Sequence, residues 1–357
     1  MGPRELVAER SIIVTTGTGG VGKTTVAAAM ALEGARAGRR ACVVTVDPAK
    51  RLADALGIGS LGNTPKRIDG PWPGELWALM LDTKGTFDEL VNRYSAGPDQ
   101  TRSILDNRLY RNISGALSGT QEYMAMEKLY ELHDIDQFDL IVVDTPPTRH
   151  ALDFLEAPKR LTRFLDNRIF RLLIMPTRAY LRAVSAATQG FLRTVSRVVG
   201  TEVVSDVIGF FEAFEGMEAG FRDRAASVRD LLTAPETAFV LVTSPRPDAV
   251  GEASFFAERL KEGHIEVALL VVNRMYPDFA RAVHAEAPLP AAPGSALASH
   301  RRNLADFHHV AAEEEASFAA LAESLAPAHV SRVPFLADDV HDLGGLGVVA
   351  DYLAASG

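Results

Sequence analysis

The sequence predicts an α/β fold: a doubly wound, mostly parallel sheet with a helical insertion subdomain, in one domain spanning residues 1–357. Three observations carry this. Short apolar, β-branched runs recur along the chain and alternate with helical periodicity, as in a parallel sheet covered on both faces. The first run is followed at once by a glycine-rich loop and a helix, Ser11 to Ala37. Two later runs end on aspartate followed by proline, at Asp47 and Asp144.

Ser11 to Thr16 (SIIVTT) is a buried strand stopped by glycines, and Gly22 to Ala37 is a helix with an alanine-rich face. Ala41 to Val46, Glu75 to Asp82 and Phe138 to Asp144 follow, then Ala238 to Thr243, Glu266 to Val272 and His329 to Val333, about seven strands in all. Two stretches break the alternation. Residues of approximately 87–133 and 158–233 show no convincing strand and read as helical insertions at one sheet edge. Gly294 to Leu325 is a further long helical stretch after a Pro/Ala loop.

Composition excludes several classes. Hydrophobic residues make up 47% and charged residues 23%, which is an ordinary soluble globular balance. A net charge of −9 argues against a nucleic-acid coat. The N-terminal MGPRELVAER has no apolar core and no run reaches the length of a membrane span, so a cytoplasmic protein with at most peripheral membrane contact is expected. A single cysteine, Cys42, rules out an intramolecular disulfide framework and fits a reducing compartment.

The most specific signal is GTGGVGKTT, residues Gly17, Thr18, Gly19, Gly20, Val21, Gly22, Lys23, Thr24 and Thr25. It matches the G-x-x-x-x-G-K-[ST] phosphate loop in its required place between strand and helix. Glycines let backbone N–H groups approach phosphate oxygens, and the helix N-terminus favours their charge. Lys23 would reach the β- and γ-phosphates and Thr24 would hold Mg2+. Asp47 and Asp144 end buried strands, where open α/β sheets bind ligands, and either carboxylate can order metal-bound or attacking water. Both therefore join Thr24 as expected metal ligands, with Lys23 and Asp47 as the expected catalytic pair. No N-K-x-D or T-K-x-D guanine-reading motif occurs, so ATP is the expected nucleotide. Asn273, at the end of LLVVN, could read the edge of adenine or simply shape a turn.

Further segments fill out a pattern: VDPAKR at Val46 to Arg51, VDTPPTRHALDFL at Val143 to Leu155, VVNRMYP at Val271 to Pro277 and VPFLADDV at Val333 to Val340. With the loop they resemble the deviant Walker-A ATPases of the arsenite-pump (ArsA) and tail-anchored-protein-targeting group, over nearly the whole chain. LGNTP, GTQEYMAMEKL and APKRL look closest to an actinobacterial-type branch that works as paired, non-identical subunits. The resemblance implies an ATP-driven homodimer, or a heterodimer with a related ATPase subunit, that opens and closes around nucleotide. Asp47 would position or activate the hydrolytic water, Asp144 to His150 would form the second switch, and Asn273, Pro334 and Phe335 would cradle adenine.

Three departures from the family pattern stand out. Thr18 occupies the position of a signature lysine that reaches the partner's phosphates. The C-x-x-C pair of the targeting factors and the metalloid-binding cysteines of the arsenite pump are both missing. Metalloid-stimulated transport is therefore not expected.

Pro158 to Gly200 holds nine lysines and arginines against one acid, Asp166, interleaved with apolar residues. It reads either as a surface for a hydrophobic client helix or anionic membrane, or as an amphipathic helix with a solvated arginine face. Met124, Met126 and Leu129 fit a core better than an adaptable groove. His308, His309 and Glu313 have helical spacing for a metal but read as surface, and Cys42 reads as an inert buried thiol. The expected function is a Mg2+-ATP-dependent ATPase clamping a hydrophobic client or partner. The alternatives are a weakly hydrolysing scaffold subunit, favoured by Thr18, and a membrane- or DNA-positioning ATPase, whose membrane form is disfavoured by a final segment without basic residues.

Overall fold

In a computed structural model, residues 1–47, 50–108, 110, 120–146, 206, 213, 216–277 and 295–355 are described. The chain divides into two compact units: Met1–Met80, Ile135–Ala151 and Pro235–Gly357 form one, Leu81–Asp134 and Leu152–Ala234 the other.

The first unit is built on an eight-stranded sheet: β1 (Ile12–Thr16), β2 (Arg40–Thr45), β3 (Lys66–Ile68), β4 (Glu75–Met80), β5 (Leu140–Asp144), β6 (Thr237–Thr243), β7 (Val267–Met275) and β8 (His329–Pro334). Their order is β3-β4-β2-β5-β1-β6-β7-β8. Every neighbouring pair is parallel except β3 with β4. β1 and β5 are buried along their whole length, which is why they read as unbroken apolar runs rather than alternating ones. The sheet has one strand more than the seven expected. β3 is three residues long, two of them exposed and basic, and such a short charged edge strand leaves no apolar signature. The expected strand through Asp82 stops instead at Met80.

Helices cover the sheet: α1 (Pro3–Glu9), α2 (Lys23–Arg36) and α3 (Arg51–Ala55). α2 buries Val26 through Leu32 and Ala35 against it. A Cβ at Gly34 would lie 2.6 Å from Leu140 Cδ2, so the small residues of this helix set its close approach to β5. Truncating a fully buried core leucine such as Leu140 to alanine costs about 2–5 kcal/mol at sites of this kind.

The second unit is helical where it is described. It contains α4 (Thr83–Tyr94), α5 (Pro98–Leu105), α6 (Thr120–Asp134) and α7 (Glu218–Thr233). Asp82 caps α4 by accepting the Lys84 N–H at 3.0 Å. Phe87 stacks on Tyr110 at 5.4 Å and Tyr94 tilts against Phe221 at 5.1 Å. Met124, Met126 and Leu129 are buried on α6, in the core role expected of them. Glu127 and Arg224, both buried, form an ion pair at 2.7 Å, and the guanidinium lies 3.8 Å from the Tyr130 ring centroid. The basic stretch Pro158 to Gly200 lies outside the described residues.

The first unit continues with α8 (Pro247–Glu262), α9 (Ala296–Ser317), α10 (Ala319–Ser324) and α11 (Leu343–Ala355). Among the described residues no helix is long and apolar enough to cross a membrane.

Candidate functional site

The site lies at the carboxyl ends of the central strands, where parallel sheets bind ligands. β1 ends at Thr16 and α2 begins at Lys23, so the glycine-rich loop is the turn between them. Gly17 has φ +146°, and a Cβ there would sit 2.1 Å from the Val242 carbonyl oxygen of β6. Gly20 and Gly22 also lie at positive φ, +78° and +95°. Gly22 is the N-cap of a 14-residue helix and caps it with no side chain, leaving the first-turn N–H groups facing the loop. Lys23 is buried, and its Nζ donates to the Thr18 carbonyl at 2.9 Å across the loop. Burial lowers the Lys23 pKa, against the opposing pull of Asp144 and Asp47.

Asp144 ends β5 and is buried. Its Oδ2 accepts two hydroxyl hydrogen bonds, from Thr24 at 2.7 Å and from Thr45 at 2.8 Å. Its Oδ1 is buried and has no partner among the described residues. Burial pushes the carboxyl up to about 6, against the two hydroxyls and Lys23. Asp47 lies just beyond β2. Its backbone N–H donates to Thr45 Oγ1 at 3.3 Å, and its carboxylate pairs with Arg51 at 3.4 Å.

Thr45 therefore links the two acids, donating to one and accepting from the backbone of the other. Sequence reasoning did not single it out; the available signal was a hydroxyl inside an apolar strand. Nor did it single out Arg51, which pairs with Asp47, whereas the neighbouring Lys50 is exposed. The oxygen donors of Thr24, Asp47 and Asp144, with the free Asp144 Oδ1, suit a hard cation such as Mg2+. Among the described residues no group of three or more His, Cys, Asp or Glu could hold a metal by itself. Such an ion would need phosphate oxygens as further ligands, which is how Mg2+ is usually bound.

The expected adenine residues lie at the ends of β7 and β8. Asn273 is buried and in register with Val333. Its Nδ2 donates to the Val21 carbonyl of the phosphate loop at 2.8 Å, and its Oδ1 accepts the Arg274 N–H at 2.9 Å. Pro334 ends β8, and Phe335 is 63% exposed while its backbone N–H donates to Met275 O at 2.7 Å. The structure thus joins Asn273 to the phosphate loop and places Pro334 and Phe335 beside the same strand end. Residues 147–150, including Arg149, lie outside the described residues.

The other singled-out residues sit apart. Cys42 is fully buried in β2, and burial pushes its thiol well above the ordinary range. His309 pairs with Glu313 at 3.2 Å on an exposed face of α9.

Residues 10–286 match the family profile described as anion-transporting ATPase (ArsA_ATPase). The chain is 29% identical over 287 residues to ATPase ARSA1 of Chlamydomonas reinhardtii, an alignment covering 75% of this chain and 35% of that protein. It is 28% identical over 287 residues to ATPase GET3B of Arabidopsis thaliana, covering 75% and 65%. It is 30% identical over 270 residues to an uncharacterised Streptomyces coelicolor protein, covering 74% and 63%. The chain thus spans about a third of the algal relative and just under two thirds of the other two.

Proposed function

We propose that this chain, which belongs to the anion-transporting ATPase (ArsA) family, binds Mg2+-ATP on the Gly17–Thr25 loop and hydrolyses it, as a dimer, to drive a conformational clamp on a hydrophobic client helix or partner. One observation carries the hydrolytic reading: the Asp47–Thr45–Asp144–Thr24 network beside Lys23. It puts an ammonium, two carboxylates and a helix N-terminus at the end of one phosphate loop.

In this reading the loop N–H groups and Lys23 offset the phosphate charge. Thr24, Asp144 and Asp47 would hold Mg2+, which supplies further charge neutralisation. Asp47 orients the attacking water and accepts its hydrogen bond, while Arg51 steadies the Asp47 carboxylate. Asp144 stays tied by Thr24 and Thr45, which holds its free oxygen in one direction. Attack on the γ-phosphorus breaks the bond to the β–γ bridging oxygen, giving ADP and phosphate. With one cysteine, buried in β2, the chain offers no pair of thiolates to a metalloid.

Two further observations bear on the finer assignment. Thr18 at the signature-lysine position favours a subunit that hydrolyses slowly until paired with a related subunit. The resemblance of LGNTP, GTQEYMAMEKL and APKRL to an actinobacterial-type branch of paired, non-identical subunits favours the same arrangement.

Calorimetry on the purified chain with Mg2+ tests the reading. ATP is expected to bind at least about tenfold more tightly than GTP, a difference of about 1.4 kcal/mol, and Lys23→Ala is expected to abolish binding. A wild-type chain that binds neither nucleotide overturns it.

A further inference from the structure

We propose that Arg51 is the residue by which this site tells ATP from ADP: its guanidinium bridges the Asp47 carboxylate and an oxygen of the γ-phosphate. This rests on the reading of Gly17–Thr25 as a nucleotide site and adds to it a phosphate ligand from outside the loop.

Arg51 is placed from two sides. It opens α3, and the Oδ2 of Asp47, four residues back, lies 3.4 Å from its Nη1. Asp47 is held in turn at its backbone, where its N–H donates to Thr45 Oγ1 at 3.3 Å, and Thr45 donates to Asp144 at 2.8 Å. The guanidinium is thus tied, through Asp47 and Thr45, to the carboxylate that takes the Thr24 hydroxyl in the first turn of α2. On the other side, Leu52, Ala55 and Leu56 are buried in the core, which anchors the short helix that carries Arg51.

The charge of Arg51 already acts on the phosphate-loop lysine. Burial lowers the Lys23 pKa, Asp144 and Asp47 raise it, and Arg51 lowers it again. Such coupling fades over about 8–10 Å in salt, so the Arg51 guanidinium and the Lys23 ammonium border the same space. Lys23 is expected to meet the β- and γ-phosphates there.

The charge balance of that space calls for a second cation. Lys23 is one ammonium facing two carboxylates, Asp144 and Asp47, and Thr18 adds no charge. A γ-phosphate brings further negative charge that ADP does not. A guanidinium suits the place, because its planar fork carries five donors and can hold a carboxylate with one and a phosphate oxygen with another. The Arg51 side chain is 60% exposed against 14% for Asp47, so its outer N–H groups are open to a ligand while Asp47 lies below. An exposed i,i+4 ion pair adds little to stability by itself, and the contact matters through what it offers the nucleotide.

The test compares binding of ADP and of AMP-PNP, the β–γ imido analogue of ATP, each with Mg2+, in wild type, Arg51→Ala, Arg51→Gln and Arg51→Lys, by calorimetry. Circular dichroism and the unfolding midpoint show which variants are folded, and Arg51→Gln, close to arginine in reach, serves if Arg51→Ala fails to fold. We expect Arg51→Ala and Arg51→Gln to weaken AMP-PNP by at least tenfold while ADP stays within twofold of wild type. Arg51→Lys is expected to lose less, because it keeps the charge without the fork. An AMP-PNP-to-ADP affinity ratio that stays at the wild-type value in folded Arg51→Ala or Arg51→Gln overturns the inference. If ATP turnover falls in those variants all the same, Arg51 supports Asp47 and does not touch phosphate. A wild-type chain that binds neither nucleotide overturns the nucleotide reading itself, a failure visible before any variant is made.

Discussion

Thr24 donates its hydroxyl to Asp144 at 2.7 Å, joining the first turn of α2 to the end of β5 across 120 residues of sequence. The same Asp144 oxygen takes a second hydroxyl from Thr45, on the other side of β5 from β1. The carboxylate, at the end of β5, is thus held by β2 and α2, while its second oxygen has no partner among the described residues. A buried acid in that arrangement stores free energy, and its release is measurable.

Asp144 carries a pH signature. Burial raises its carboxyl from 3.8 to about 6, so between those values the folded protein keeps a proton that the unfolded chain has lost. Stability therefore falls as pH rises through that window, by about 3 kcal/mol when the shift is converted. In urea melts of the nucleotide-free protein in chelator, Asp144→Asn is expected to be more stable than wild type at pH 7–8, with the difference shrinking towards pH 4. A difference that does not change with pH would exclude this account.

If Thr18 stands where a trans-acting lysine is needed, hydrolysis by the chain alone is slow. Trans-acting cations at phosphoryl-transfer sites are worth about 10³–10⁵ in rate, and Thr18 supplies none. The chain alone is expected to turn over slowly, and Thr18→Lys, or a partner subunit bearing that lysine, to accelerate it. Turnover is measured for these and for Lys50→Ala and Arg149→Ala. Fast turnover alone that is lost only in Lys50→Ala or Arg149→Ala would place the charge in cis, and fast turnover insensitive to all three would refute the missing-lysine argument.

The Glu127–Arg224 pair holds the helical unit. Burial raises the Glu127 carboxyl above its ordinary value, against the hydrogen bond from Arg224. Removing one partner strands the other charge, at a cost of about 3–5 kcal/mol. Arg224→Met is expected to lose that much in denaturant unfolding and Glu127→Gln less, because glutamine still accepts from the guanidinium. Equal, small losses would show that the pair is dispensable.

The client surface is tested on the basic stretch. If Pro158 to Gly200 binds a hydrophobic segment, reversing charge at Arg171, Arg178 and Arg182 weakens capture of such a peptide severalfold and leaves ATP affinity unchanged. Fluorescence anisotropy with a labelled apolar helix reads both effects. Capture that survives the reversal in a folded protein assigns those arginines to an ordinary solvated face.

The glycine-rich loop was legible in the sequence because it is local: nine consecutive residues, with glycines at the backbone angles that only glycine takes easily, between an apolar run and a helix. The parallel sheet was legible for a related reason, since burial on both faces leaves continuous β-branched runs such as IIVTT and LIVVD. Asp47 and Asp144 could be picked out because both follow such runs. The tertiary structure alone decided which groups meet there. Thr45 reaches Asp144 because β2 lies beside β5, and Asn273 reaches Val21 across 252 residues because the chain returns through β6 and β7 on the other side of β1. Hydroxyl and amide partners of this kind are set by strand order and by a one-residue bulge at Arg274. Residue spacing along the chain carries neither, because a hydrogen bond depends on where two strands pack and not on how far apart they are in sequence.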